Sequence, residues 1–158
     1  MTSTTRITVE VLTPERAGEI SEMAFPLFRE VYKDTPSDIV EAFLQKTQTP
    51  ESIAEQIRSG TVYAFVHSNG ELAGYLAYEK DAEGMRLSKL YLLPAFRGKG
   101  LGKWMLEYVE DRAREAGSDT IHLEVNELNN AREFYGKHGF VPGERIDFMR
   151  IVMRKSLD

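Results

Sequence analysis

The segment that most constrains this chain runs Leu90-Tyr91-Leu92-Leu93-Pro94-Ala95-Phe96-Arg97-Gly98-Lys99-Gly100-Leu101-Gly102-Lys103. A strand-like apolar run enters a loop with three alternating glycines and opens directly onto a helix. The first four N–H groups of an α-helix lack intrahelical partners, and the helix dipole puts partial positive charge there. Glycine lets the backbone close on a bound anion and takes dihedrals that other residues avoid. Arg97, Lys99 and Lys103 add positive charge around the loop, in a chain of formal net charge −5. Together these features read as a phosphate cradle. The alternative that the same residues allow is a Gly-rich turn ahead of a surface helix. Spacing excludes two common phosphate loops. A Walker A loop needs four residues between its first Gly and Gly-Lys, then Ser or Thr. Here three residues separate Gly98 from Gly102-Lys103, and Trp104 follows, so no hydroxyl is offered to Mg²⁺. A dinucleotide fingerprint needs a glycine where Lys103 stands, and it follows a first strand, whereas this loop comes late in the chain.

Hydrophobic periodicity organises the remainder. Ile7, Val9 and Val11 alternate with polar residues as a first strand, and Thr13-Pro14-Glu15 reads as a helix start. The helix over about 15–33 puts Ala17, Ile20, Ala24, Leu27 and Val31 on one face, with Pro26 as a point of bending. A second helix spans about 37–47 with Ser37 as its cap, and Thr49-Pro50-Glu51 begins a third that ends near Gly60. Strands over 61–67 and 72–79 flank Asn69-Gly70, a strong hairpin signal, and a further strand covers 85–93. Beyond the loop, Leu101, Met105, Val109, Ala113 and Ala116 keep helical spacing until Gly117. A strand at 120–125, a helix at 130–138 and strands near 140–148 and 149–155 complete the chain. The pattern is a mixed α/β (α+β) sheet with helices on its faces, in a single domain spanning 1–158.

Composition limits the function. The acidic balance argues against a nucleic-acid partner. No run approaches the roughly 20 apolar residues of a membrane helix, and Met1–Arg6 shows no apolar signal region, so a cytoplasmic location without membrane partners is expected. The absence of cysteine removes disulfides, thiolate metal sites and a cysteinyl acyl-enzyme. His67, His122 and His138 are scattered and form no ligand cluster, so no metal is expected.

Two segments resemble the GNAT acetyltransferase superfamily. Arg97-Gly98-Lys99-Gly100-Leu101-Gly102 fits its Arg/Gln-x-x-Gly-x-Gly/Ala signature, led in by Leu93-Pro94. Asn130-Ala131-Arg132-Glu133-Phe134-Tyr135-Gly136-Lys137-His138-Gly139-Phe140 looks like its Asn…Ala-x-x-x-Tyr-x-x-x-Gly-Phe segment. The resemblance implies a mostly antiparallel, splayed central sheet with helices on both faces. It also implies acetyl-CoA as co-substrate, with pyrophosphate on the amides from Gly98 through Lys99, Gly100, Leu101 and Gly102 to Lys103. The pantetheine arm would then pair with Leu90, Tyr91 and Leu92 along an edge where the strands at 85–93 and 120–125 part. One departure stands out. The family usually has Asn seven residues before the tyrosine, where this chain has Leu128, so Asn126 and Asn130 are both left as coenzyme contacts.

Acetyl transfer to an amine needs the amine to lose a proton, the thioester oxygen to be stabilised and the thiolate to be protonated. On its helix, Tyr135 shares a face with Ala131, Phe134 and His138, and it is the family's motif tyrosine. It is the candidate acid, with a core tyrosine as the alternative. Glu124 faces opposite Ile121, Leu123 and Val125. It is the candidate base, with a solvated strand residue or a water chain as alternatives. The N-terminal half is more loosely similar to PaiA-type polyamine acetyltransferases, through Phe28-Arg29-Glu30-Val31-Tyr32-Lys33 and Glu71-Leu72-Ala73-Gly74-Tyr75. Residues 1–60 carry ten acids against six Lys/Arg, which suits either a solvated helical surface or an approach for a small cationic amine. A polyamine acceptor is therefore expected. A peptide or protein amine, or a non-catalytic acyl-CoA sensor, is the competing function, and the expected assembly partner is a second copy in a homodimer.

Overall fold

The computed structural model describes residues 5–158; the N-terminal stretch Met1–Thr4, read above for its lack of an apolar run, lies outside them. Strand β1 (Ile7–Val11) leads through a 3₁₀ turn at Pro14–Arg16 into α1 (Ala17–Val31), α2 (Ser37–Thr47) and α3 (Pro50–Arg58). Strands β2 (Val62–Ser68), β3 (Glu71–Asp81) and β4 (Gly84–Leu92) follow, then α4 (Leu101–Glu115), β5 (Thr120–Asn126), α5 (Ala131–Lys137), β6 (Val141–Arg145) and β7 (Arg150–Ser156). The seven strands form one sheet in the order β1-β2-β3-β4-β5-β7-β6. Every neighbouring pair is antiparallel except β4 with β5.

Local chemistry accounts for most boundaries. Thr49 accepts from the Ser52 amide at 3.2 Å, with Pro50 in the first helical turn, so α3 starts where an orphan donor is satisfied. Asn69 (φ 52°) and Gly70 (φ 84°) are both left-handed, as a two-residue hairpin that follows the strand twist requires. Two expectations shift by one residue. Pro36, not Ser37, holds the cap position of α2, and Ser37 begins the helix. Val11 is 59 % exposed while Leu12 is buried, because β1 ends there and the chain turns its next side chain inward.

Each face of the sheet carries its own core. Tyr63, Phe65, Tyr75 and Ala77 point to one side and pack against Ile20, Ala24, Phe28, Leu44 and Ile53 of α1, α2 and α3. Ala64, Val66, Leu76, Ile121 and Leu123 point to the other and pack against Leu101, Met105, Val109 and Ala113 of α4. On the first face, buried Gln48 accepts from the Tyr75 hydroxyl at 2.8 Å and donates to that of Tyr63 at 3.2 Å, so these aromatic groups enter the core with partners.

The centre of the sheet is irregular. Ala77 pairs with Lys89 but Tyr78 pairs with Leu87, which leaves Ser88 as an extra residue bulging from β4. The parallel ladder between β4 and β5 holds only at Met85–Ile121 and Arg86–His122. Beyond those pairs the strands diverge, and among the described residues the β4 edge from Leu90 to Leu92 has no strand partner on that side. The opposite edge of β4 is held tightly. A Cβ on Gly74 of β3 would lie 2.0 Å from the Tyr91 carbonyl oxygen, so only glycine fits there.

Candidate active site

The wedge between β4 and β5 opens toward the start of α4. Gly98 (φ 76°) and Gly100 (φ 82°) take left-handed backbone, and Gly100 occupies the cap position of the helix. Their dihedrals turn the chain so that successive amides face outward. The Trp104 amide is the first to find a backbone acceptor, the Gly100 carbonyl at 3.2 Å. Among the described residues, no amide from Gly98 to Lys103 donates to a protein acceptor. A run of free donors with two nearby ammonium groups, Lys99 and Lys103, has the chemistry to receive a diphosphate. Arg97 lies beside it but is committed elsewhere. Its guanidinium meets Glu30 of α1 at 2.6 and 3.0 Å, and its Nε donates to the Leu92 carbonyl at 3.1 Å. That pair holds the Glu30 carboxyl below its ordinary range and ties the loop to α1.

From this loop a cleft of about 500 Å³ runs between the diverging strands, lined by Leu90, Tyr91 and Leu92, by Asn129, Asn130, Phe134 and Tyr135, and by Arg97 and Gly102. A second cleft of about 440 Å³ lies between α1, α2 and the turn before β7. The two are continuous through Tyr32, Leu87, Ser88, Lys89, Tyr91, Glu124 and Asn126, which line both.

Tyr135 stands on the coenzyme-loop side of this junction. Its ring is fixed edge-on by Phe134 and Phe140, at centroid distances of 5.1 and 5.4 Å. Among the described residues its hydroxyl has no hydrogen-bond partner. Burial, reinforced by the Tyr32 phenol, pushes its pKa well above the ordinary phenol value, so it stays protonated at neutral pH. Glu124 sits at the junction with one oxygen 3.2 Å from Arg86 and the other 3.2 Å from Arg150. Asn126 donates to the Thr35 hydroxyl at 2.9 Å and accepts from the Leu128 amide at 2.8 Å, which pins the β5 end to the loop after α1. Asn129 accepts from the Ala131 amide at 2.9 Å, whereas Asn130 is exposed and makes no side-chain cap to α5. Of the two asparagines singled out from sequence, Asn126 has its side chain engaged and Asn130 has its side chain available.

Sequence reasoning missed several residues here. Arg86 and Arg150 meet only through Glu124, across strands far apart in sequence. Tyr32 shares a 2.5 Å hydroxyl–hydroxyl contact with Tyr91, bridging α1 to β4. Lys89 is 93 % buried by its surroundings, with relative exposure of 7 %. The available signal was its place between Leu87 and Tyr91 in an apolar strand. The bulge that turns it into the junction could not be read from the alternation.

Diphosphate donors at one mouth, an unpaired strand edge that can accept an amide-bearing arm, and a phenol beside its far end are what an acyl-coenzyme A transferase requires. Residues 29–149 match the family described as "Acetyltransferase (GNAT) domain". The chain belongs to that family and is an acetyl-CoA-dependent N-acetyltransferase. It is 32 % identical over 148 residues to an uncharacterized N-acetyltransferase of the pepI 3′ region in Lactobacillus delbrueckii subsp. lactis, covering 81 % of this chain and 85 % of that one. It is 33 % identical over 72 residues to the [ribosomal protein bS18]-alanine N-acetyltransferase of Haemophilus influenzae, covering 46 % and 49 %. In fold it resembles the PaiA N-acetyltransferase of Thermoplasma acidophilum solved with coenzyme A, with a TM-score of 0.83 at 23 % identity, covering 96 % of this chain and 99 % of that one. The free amides, the positive loop and the wedge fit acetyl-CoA as the co-substrate. Among the described residues no helix is long and apolar enough to cross a membrane.

The loop geometry gives a first expected result. A Cβ on Gly102 would already lie 3.4 Å from the Phe134 ring, and larger groups there must enter the cleft. Gly102→Val should weaken coenzyme A binding in calorimetry by about tenfold or more while circular dichroism stays that of the parent. Unchanged affinity would remove the loop from the coenzyme site.

Proposed function

We propose that the chain acetylates the primary amine of a small molecule by direct attack, with donor and acceptor bound together. The observation that carries this reading is the continuity of the two clefts. The coenzyme side ends at Tyr91 and Lys89, and the second cleft begins there, so an amine entering from α1 and α2 meets the thioester without leaving the sheet's centre. In this arrangement the amides from Gly98 to Lys103 hold the diphosphate, and Leu90 to Leu92 align the arm. Tyr135 keeps a proton at its hydroxyl for the departing sulfur. Glu124 offers the lone pairs its arginines leave free, and these receive the acceptor's ammonium proton directly or through water. Glu124 also links Arg86 to Arg150, so it holds the two sides of the second cleft together.

The acceptor class expected from sequence is a polyamine, through the resemblance to PaiA-type enzymes and the acidic first sixty residues that agree with it. Several of those acids are paired with arginines. Glu10 and Glu19 bind Arg16, Glu41 binds Arg29, and Glu30 binds Arg97. None of the ten lines the second cleft, where the only charged side chain from residues 1–60 is Lys46. Within the second cleft a polycation therefore gains no counter-charge from those acids, and the lining supports an amine with a single cationic end. The likeness to the bS18-alanine N-acetyltransferase gives the protein N-terminal alternative its support.

Initial rates at varied concentrations of both substrates should intersect, and protein incubated with acetyl-CoA alone should gain no acetyl group by mass spectrometry. Parallel lines with an isolable acetyl-protein would show a covalent relay and overturn direct attack.

A further inference from the structure

The second cleft is charged in a way that a plain amine does not need. Its lining carries Lys46, Arg86, Lys89 and Arg150 against Glu124 and Asp147. The two acids are already taken. Glu124 lies 3.2 Å from both arginines, and Asp147 lies 2.9 Å from Arg150. Lys89 is left over. Its ammonium is buried, its hydrogen bond goes to the neutral Ser88 hydroxyl at 2.9 Å, and the Phe43 ring centroid lies 5.7 Å away. Among the described residues no carboxylate lies within 4.0 Å of it. A buried cation with two unused N–H donors and no carboxylate in contact is costly unless a ligand supplies the charge. The surrounding walls are apolar. Phe43 and Phe148 stay 38 % and 68 % exposed at the cleft, although large hydrophobic side chains usually bury themselves.

We infer that the acceptor carries a carboxylate as well as its amine, on an apolar body, as an apolar α-amino acid does, and that Lys89 is the group that receives this carboxylate. The inference rests on the direct-attack reading above and specifies its substrate. Phe43 and Phe148 cover the apolar side chain, and the amine is left to face Glu124 and the thioester. In the reaction the amine nitrogen forms the amide bond as the carbon–sulfur bond breaks. Of the two protons the ammonium loses, one is released to solvent and one ends on the coenzyme thiol. Lys89 stays protonated throughout and takes no part in the proton transfers.

The test compares each acceptor with its own carboxamide. Phenylalanine, leucine and methionine are assayed beside their amides, with spermidine and a short peptide as further amines, by coenzyme A release. The amide's amine is the more easily deprotonated, so intrinsic reactivity favours it, and any preference for the acid must come from the protein. The parent enzyme should favour the acids in kcat/KM by about 10- to 100-fold, the range of a charge-assisted hydrogen bond. Lys89→Met should bring the acid-to-amide ratio close to one, mainly through KM, and Lys89→Arg should retain part of the preference. Both variants are checked for the parent's circular dichroism and coenzyme affinity, so a folding defect is not mistaken for lost recognition. If amides or spermidine are the better substrates, or if Lys89→Met keeps the ratio, the inference is overturned and the small-molecule reading stands; if the peptide is the better substrate, the small-molecule reading falls with it. If no amine in the panel is acetylated, the inference and the small-molecule acceptor proposed above both fall.

Discussion

Tyr135→Phe should lower kcat by roughly 10²-fold while coenzyme affinity stays within about twofold of the parent, at the low end of the 10²–10⁴ that general acid catalysis provides. The ring is held by Phe134 and Phe140, and phenylalanine keeps those contacts, so the fold and the cleft wall survive the change. What goes is one hydroxyl that no other described group engages. Burial makes the phenol a reluctant acid, with its pKa raised above the ordinary value. A free thiol titrates near 8.5, so the sulfur can leave as thiolate with only a hydrogen bond to help it. Both facts push the loss toward the lower end of the range. Single-turnover rates and calorimetry on the Phe variant separate chemistry from binding. A kcat within about twofold of the parent, far below that range, would make Tyr135 a packing residue. Weakened coenzyme binding with the fold intact would recast its hydroxyl as a coenzyme ligand.

The residues around Tyr135 show what could be read from the chain and what could not. The loop was legible because its information is local. Glycines at 98 and 100 take the left-handed backbone that their identity permits, and the helix they precede follows from a 3.6-residue stripe. The hairpin at Asn69-Gly70 and the cap at Thr49 are equally local. The wedge was expected only by resemblance. It opens next to the residue inserted at Ser88, and alternation alone assigns Leu87, Lys89 and Tyr91 to one face. In the structure Leu87 packs in one core and Tyr91 in the other, with the bulge between them. Charge balance is a blunt guide for a related reason. Counting acids over residues 1–60 cannot tell Glu41, spent on Arg29, from a carboxylate free to meet a ligand. Likewise Glu124 is exposed along its strand, yet it becomes part of a junction because Arg86 and Arg150 converge on it from β4 and β7.

Lys89→Met should stabilise the protein at pH 7, by an amount that disappears as the pH is raised. Burial, with Arg86 adding repulsion against weaker help from Glu79 and Glu124, pulls the Lys89 pKa from its ordinary 10.5 down to about 8. A shift of that size corresponds to about 3 kcal/mol of native-state cost for carrying the proton. Because the native value lies below the unfolded one, the unfolded chain binds more protons between about pH 8 and 10.5, and stability contributed by this group rises with pH across that window. Below pH 8 both states are protonated and the cost is present in full. Methionine fills a similar volume without charge, so the variant should melt several degrees higher at pH 7, where about 1 kcal/mol moves the midpoint by roughly 2–4 °C in a domain of this size. By about pH 9.5 most of that advantage should be gone. The comparison is made against the parent at each pH, because the buried Tyr75 and Tyr91 have raised pKa values and weaken both proteins as alkali ionises the unfolded chain first. Saturating the parent with its carboxylate acceptor should narrow the gap at pH 7, since the ligand supplies the missing counter-charge to Lys89 and leaves the Met variant unaffected through that contact. Equal melting temperatures at pH 7 would mean that the ammonium reaches solvent after all, and the need for a ligand carboxylate would vanish with the cost.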